Sequence, residues 1–308
     1  MPNSLAHAGA QGLATRTALP DVDLKWVYLG CVIPDVPWIL QRAARVVTPG
    51  IDPFALRSYV IIQASLLGCL VMSAAVALLA RNGWSMFAVL GGNAVLHLAL
   101  DAMQTKWGNG VHFFVPFSWE ITNWGLFWPE SIPTYVLTGF GLLYIGWHWH
   151  DSTDEPPGLT RPSIPRLLGI VVLLGGYFLG PLLVLQQPIE ADAHSLNTLS
   201  ETHGRTGRPV EMDRAKYVQE RNGYVLEHFG GRVQVEKLGV QAPATVSIQG
   251  VFTTKNKVRV TSLRVHTSGL RDYPSYLGLA LIAAVWGQAA LRRHEARGGN
   301  PSSRAKAL

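Results

Sequence analysis

The chain has 308 residues, of which 48% are hydrophobic and only 15% charged, against about 25% charged in an ordinary soluble domain. That balance argues against a soluble helical protein, because several long runs have no polar face to offer water. The formal charge of +6 does not point to nucleic acid as a partner, since much of the excess lies in one tail.

Residues 1–23 form an N-terminal segment with no apolar core of the kind a cleavable signal peptide needs. "LKWVYLGCVIPDVPWIL", Leu24 to Leu40, is an apolar run interrupted at Pro34-Asp35. It reads as a short span ending near Pro34, with the remainder lying along the interface. Six crossings then place the N-terminus inside and bring Asp35 out on the face that carries His97 and Asp101. The competing reading is five crossings with the N-terminus outside. Arg42, Arg45 and Arg57, which six crossings leave outside, speak for it.

Further along, Ser58 to Ala80 and Leu167 to Ile189 are each 23 residues without a formal charge, and Tyr273 to Leu291 gives 19. About 20 apolar residues of helix cross a hydrocarbon core of roughly 30 Å. Trp84 to Leu100 and Ile132 to Trp147 are shorter spans. The expected fold is therefore mainly α: a polytopic membrane protein of five or six transmembrane helices, with its helical domain over residues 24–189. Cys31 and Cys69 lie in apolar stretches and match no metal or redox spacing.

Residues 190–272 differ in texture. "GRPVEMDRAKYV", "GYVLEHF", "GRVQVEKLGV", "ATVSIQGVF" and "KVRVTSLRVHT" are short, often alternating and rich in β-branched residues, with Gly or Pro between them. They predict a small extracytoplasmic all-β domain, a barrel of OB-like type, inserted before the last helix, 273–291. Residues 190–208 read as a loose linker, and "KNKVRV" as a solvated hairpin. After Leu291 the tail carries five Lys/Arg against one Glu and reads as disordered. The positive-inside rule puts it in the cytoplasm of a cell with this chain in its inner (plasma) membrane. The 101–131 loop is then outside. His148 and His150 fall on the inner side.

His97 and Asp101 are four residues apart, so a helix places both on one face. An imidazole and a carboxylate so arranged can hold a divalent ion such as zinc, and ionisable groups inside a span tend to mark functional sites. The bland alternative is a hydrogen-bonded pair sealing a helix end. Asp35, His97 and Asp101 are the candidate metal ligands. His112 could join them but reads better as a loop histidine. Neither Asp35 nor Glu120 stands out as a general base.

"LGCVIPDVPWIL", "HLALDAMQTKWGNGVHFFVPFSW" and "GLFWPE" together resemble the LexA-binding, inner-membrane-associated metal-dependent hydrolases over roughly residues 24–150. In that family a "G-x-x-x-P-D-x-D" element is followed by "H-R-G-x-T-H-S" and then by "H-x-x-x-D-x-x-T-x-x-G" leading to "P-F-S". The resemblance implies a helical membrane fold related to zinc-dependent phospholipases C and nucleases. Asp35 matches the first aspartate, His97 and Asp101 the helix motif, Gly108 or Gly110 its glycine, and Pro116, Phe117 and Ser118 the closing triplet. Pro37 stands where the second aspartate belongs. Ala64 occupies the place of the key histidine in "LRSYVIIQASLL", with Arg57 and Ser65 as remnants.

Two functions follow. One is a metal-assisted hydrolase at the outer face, acting on a phosphoester or lipid-linked substrate. The other is a non-catalytic membrane scaffold that presents the 190–272 domain to a protein or envelope partner.

Overall fold

The structure is a computed structural model and describes residues 3–154, 158–192, 194–229, 231–267 and 272–298, with side chains to residue 292. The membrane-type part is built from α1 (Ser4–Ala18), α2 (Leu24–Val32), α3 (Val36–Val47), α4 (Pro53–Gln63), α5 (Leu66–Ala77), α6 (Gly83–Ala102), α7 (Ile132–Trp147), α8 (Trp149–Thr153) and α9 (Ile164–Leu179). Two short helices, α10 (Gln186–Ala191) and α11 (Leu196–Ser200), lead to five strands, and α12 (Asp272–Gly298) returns to the bundle.

Among the described residues, Gly83–Ala102, Ile164–Leu183 and Asp272–Arg292 are long and apolar enough to cross a membrane. The uncharged run from Ser58 is not one straight span. It is bent by 62° between α4 and α5, where Ser65 starts a new helix by accepting the Gly68 N–H on its hydroxyl at 3.3 Å. The Ile132–Trp147 helix is apolar but shorter, and α2 stops after nine residues at the Ile33–Asp35 turn. Apolar content therefore located these elements without fixing how many cross.

The N-terminal segment departs most from expectation. Residues 4–18 form a helix lodged in the bundle, capped by the Asn3 side chain, which accepts the Ala6 N–H at 3.0 Å. Its small residues permit close approach, as between membrane helices generally. A Cβ on Gly9 would meet the Gly141 backbone at 2.4 Å, and one on Gly141 would meet the Leu5 carbonyl oxygen at 1.9 Å. Polar residues recur every fourth position along α1: His7, Gln11 and Thr15 are all buried, and Thr15 donates to Asn93 at 3.2 Å. Leu5, Trp26, Tyr28, Leu90 and Ile145 fill the core around them.

Helix α1 starts beside Asp101 and ends at the opposite end of the bundle, where Arg16 meets His148 at 2.8 Å and Asp151 at 3.0 Å. Arg292 of α12 pairs with Asp154 near that same end. The first described helix thus begins at one end of the bundle and the last ends at the other. The basic tail beyond residue 298 lies outside the described residues, as does Arg271.

Strands β1 (Pro209–Glu220), β2 (Gly223–His228), β3 (Gly231–Val235), β4 (Ala244–Thr254) and β5 (Lys257–His266) close into a barrel in the order β1-β2-β3-β5-β4, with β3 and β5 parallel. Met212, Tyr217, Leu226, Ile248 and Phe252 form its core. The stretch read as a loose linker instead holds the last two residues of α10 and all of α11, joined through Asp192, whose carboxylate accepts the Ser195 and Leu196 N–H groups at 3.0 and 3.1 Å. A bulge between Met212 and Ala215 in β1, with Arg214 at φ +58°, redirects Asp213 and Arg214 toward the bundle. Arg214 pairs with Glu130 in the 103–131 loop, and Gly108 of that loop donates its N–H to Glu211 at 2.7 Å. The barrel is thereby clamped over the loop that follows α6.

Candidate metal centre

Four ionisable side chains meet at the end of the bundle facing the barrel, each delivered by a different local device. The α6 spacing puts His97 and Asp101 on one face one turn apart. Asp35 lies in the turn after α2, which Pro34 ends by withholding an N–H. It then stands at the N-cap of α3, where an aspartate normally accepts a backbone N–H. Its side chain makes no such bond, and Pro37 removes one of the donors it would have used. The Asp35 carboxylate turns instead to His97, with Oδ1 3.5 Å from Nε2. His7 arrives from α1.

The distances around this group are consistent with one another. His97 Nε2 is 3.9 Å from Asp101 Oδ2, and His7 Nε2 is 3.6 Å from Asp101 Oδ1. The two imidazole rings stack with centroids 3.7 Å apart and planes within 2°. His97 Nδ1 lies 2.7 Å from the Cys31 carbonyl oxygen. A carbonyl only accepts, so Nδ1 carries the hydrogen and neutral His97 presents the Nε2 lone pair to two carboxylates. Lone pairs facing carboxylates repel unless a proton or a cation lies between them.

Geometry favours the cation. Hydrogen bonds from nitrogen to oxygen are about 2.7–3.2 Å long, shorter than any contact between Nε2 and carboxylate here. Ligands about 2.1 Å from a tetrahedral zinc stand roughly 3.4 Å apart. His7 Nε2, His97 Nε2 and Asp35 Oδ1 are buried and make no hydrogen bond. His7, His97 and Asp101 offer ligand atoms that all lie within 4.8 Å of one another, and Asp35 joins through His97. Two nitrogens and one oxygen are a donor set that suits zinc with one position left open.

Of the sequence-based set, then, Asp35, His97 and Asp101 do come together, and the residue missed is His7. The signal for it was the buried polar period of His7, Gln11 and Thr15 among small residues, in a segment with no hydropathy peak.

Lys106 Nζ lies 3.6 Å from Asp101 Oδ1 and leads from the group into a cavity of about 190 Å³. Trp38, Arg42, Arg57, Asn109, His112 and Asp213 are in its wall. Ala64 is too, so the position expected to hold a histidine faces this space with a methyl group. His112 stands apart from the metal-type group. Burial pushes its pKa down to about 4, and its Nδ1 lies 3.1 Å from the Trp119 carbonyl oxygen. At neutral pH it is an uncharged imidazole. His148 is held by Arg16 and Asp151 at the far end.

A second polar chain pins the barrel. Glu130 Oε2 is 2.9 Å from His266 Nδ1, His266 Nε2 is 2.7 Å from Ser247 Oγ, and Ser247 Oγ is 3.0 Å from Asp213 Oδ1. The order acid, histidine, serine is that of a nucleophile triad. Ser247, however, is fully buried and backed by a carboxylate that would repel a developing oxyanion. The chain serves the junction.

Comparisons of the sequence with protein-family models and with curated proteins, and of the structure with solved structures, find no match.

Proposed function

We propose that the chain is a membrane-bound metal-dependent hydrolase whose site opens at the outer face of the inner membrane, with the C-terminal tail in the cytoplasm. The observation that carries this reading is the group His7, His97 and Asp101, with Asp35 beside it: ligand-type atoms spaced for a shared cation and too far apart for one another. A bound divalent ion, zinc by donor type, would polarise a phosphoester or lipid-linked ester and lower the pKa of a water. His7, His97 and Asp101 would hold the ion with the Asp35 carboxylate facing it beside His97, the Cys31 carbonyl orients His97 through Nδ1–H, and Lys106 balances the Asp101 charge. The motif resemblance to the LexA-binding hydrolases supports the same kinship, with Ala64 and Pro37 as departures. We read the barrel as OB-like from its strand order.

Metal analysis of the detergent-purified protein tests the reading. Zinc near one equivalent in the wild type, lost in His7→Ala and in His97→Ala combined with Asp101→Ala, is the expected result. A metal-free wild type that resists zinc loading would sink it. One observation, Ala64 in the cavity wall, favours the second reading of a scaffold that presents the barrel to an envelope partner. In that case the double variant would leave thermal stability unchanged and no ester would be cleaved.

A further inference from the structure

The cavity beside the metal-type group has a cationic wall whose best-placed member makes no salt bridge among the described residues, Asp213 and Asp192 attracting it only from a longer range. Arg57, on α4, lays its guanidinium carbon 4.3 Å from the Trp38 ring centroid and donates one bond, 2.9 Å to Asn109 Oδ1. Stacking and that bond hold the planar fork in place, while its other N–H groups stay available. Among the described residues no carboxylate lies within 4.0 Å of it. The neighbouring cations differ: Lys106 faces Asp101 at 3.6 Å, and Arg42 faces Asp272 at 3.6 Å. Asp213 also lines the space but is engaged by Ser247.

Resting on the hydrolase reading, we propose that Arg57 binds the phosphate of a phosphoester substrate in this cavity and so holds it against the metal group. A fixed guanidinium fork matches two phosphate oxygens. The volume suits a polar headgroup alone, being smaller than the roughly 300–1,000 Å³ of pockets that enclose drug-sized molecules. The rest of the substrate must stay outside. Helix α3 indicates where: Ile39, Leu40, Val46 and Val47 are exposed, while Trp38, Gln41 and Arg42 of the same helix line the cavity. An amphipathic helix of this kind lies in the membrane interface with its apolar side among the acyl chains. The cavity then opens at headgroup depth, and a phospholipid is the favoured source of the phosphate over a soluble phosphoester.

Calorimetric titration of the full chain in maltoside micelles distinguishes the sources. The probes are short-chain phosphatidylglycerol, diacylglycerol of equal chain length and glycerol 3-phosphate, each with zinc and with chelator. Phosphatidylglycerol should bind at least about tenfold more tightly than the other two, and Arg57→Ala should lose about tenfold or more, as expected for a charge-assisted fork. Arg57→Lys, which keeps charge and bulk, should also fall several-fold because an ammonium does not reproduce the fork. Melting temperature and zinc content of each variant separate misfolding from lost recognition. Glycerol 3-phosphate binding as tightly as the lipid, with the same Arg57 dependence, would keep the phosphate site and overturn the lipid source. Equal lipid binding by wild type and both Arg57 variants, or by diacylglycerol, overturns the proposal. Arg57-dependent binding that persists with chelator in a protein unable to hold zinc would leave it standing while the hydrolase reading fell.

Discussion

Gln11 decides what His7 can do. Its Nε2 lies 3.0 Å from His7 Nδ1, and its Oε1 accepts from Cys31 Sγ at 3.1 Å. With the amide oxygen toward the ring, Nδ1 carries the hydrogen and Nε2 is left as a ligand; with the nitrogen there, the tautomer reverses. A metal on Nε2 therefore requires the Gln11 amide to turn over from the arrangement seen here and present its oxygen to His7, the outer partner that ligating histidines commonly have. Gln11→Leu, similar in size and without either function, should weaken zinc binding about 10–100-fold, read by competition with a chromophoric chelator; unchanged affinity would remove Gln11 from the site. How much of this was legible follows from the same residues. His97 and Asp101 could be found because a charged pair at helical spacing stands out in an apolar run, and Asp35 because Pro-Asp interrupts one. His7 could not be found by hydropathy, since α1 owes its place in the bundle to small residues and to polar groups bonded inside it.

Helix α1 is held by the absence of side chains. At the Gly9–Gly141 crossing with α7 the backbones touch, so an added methyl has nowhere to go, whereas Gly139 on α7 has open space where its Cβ would be. Gly141→Ala should lower stability by about 1–3 kcal/mol or more through overpacking. Gly139→Ala should be neutral or slightly stabilising through helix propensity. Thermal unfolding in detergent compares the two directly, and equal melting temperatures would refute the close packing. Because α1 also delivers His7, Gly141→Ala should lose zinc affinity as well. At this scale the strands were legible, their alternation marking each one, and so were the apolar helices. The bend at Ala64-Ser65 was not: the Ser65 cap acts there together with a tertiary contact, the Leu66 N–H donated to the His112 carbonyl at 3.1 Å. The short helix inside the supposed linker, α11, depends likewise on one buried aspartate, Asp192.

Across the whole molecule the barrel and bundle meet through Glu130, which accepts from His266 and Arg214 at once. Burial by itself would raise the Glu130 pKa, but those two donors outweigh it and hold the carboxyl down to about 2, from an ordinary 4.5. A carboxylate with a depressed pKa stabilises the fold fully above its unfolded value and loses that contribution as pH falls toward the folded one. For Glu130 the window runs from pH 4.5 down to about 2, with a stake on the order of 3 kcal/mol. His228, which burial pushes down to about 4 from 6.5, acts earlier on the same side: the unfolded chain takes up its proton first, so stability falls between pH 6.5 and 4. Acidification should therefore loosen the barrel in two stages. In Glu130→Gln the lower stage should be absent, with stability already reduced at pH 7 and Arg214 left without its carboxylate. Hydrogen exchange of β4 and β5 against pH, in wild type and in this variant, reads both stages. The clamp is also what holds Asp213 at the cavity wall beside the metal-type group, so a barrel that loosens without any change at the cavity would mean that the junction and the site are independent.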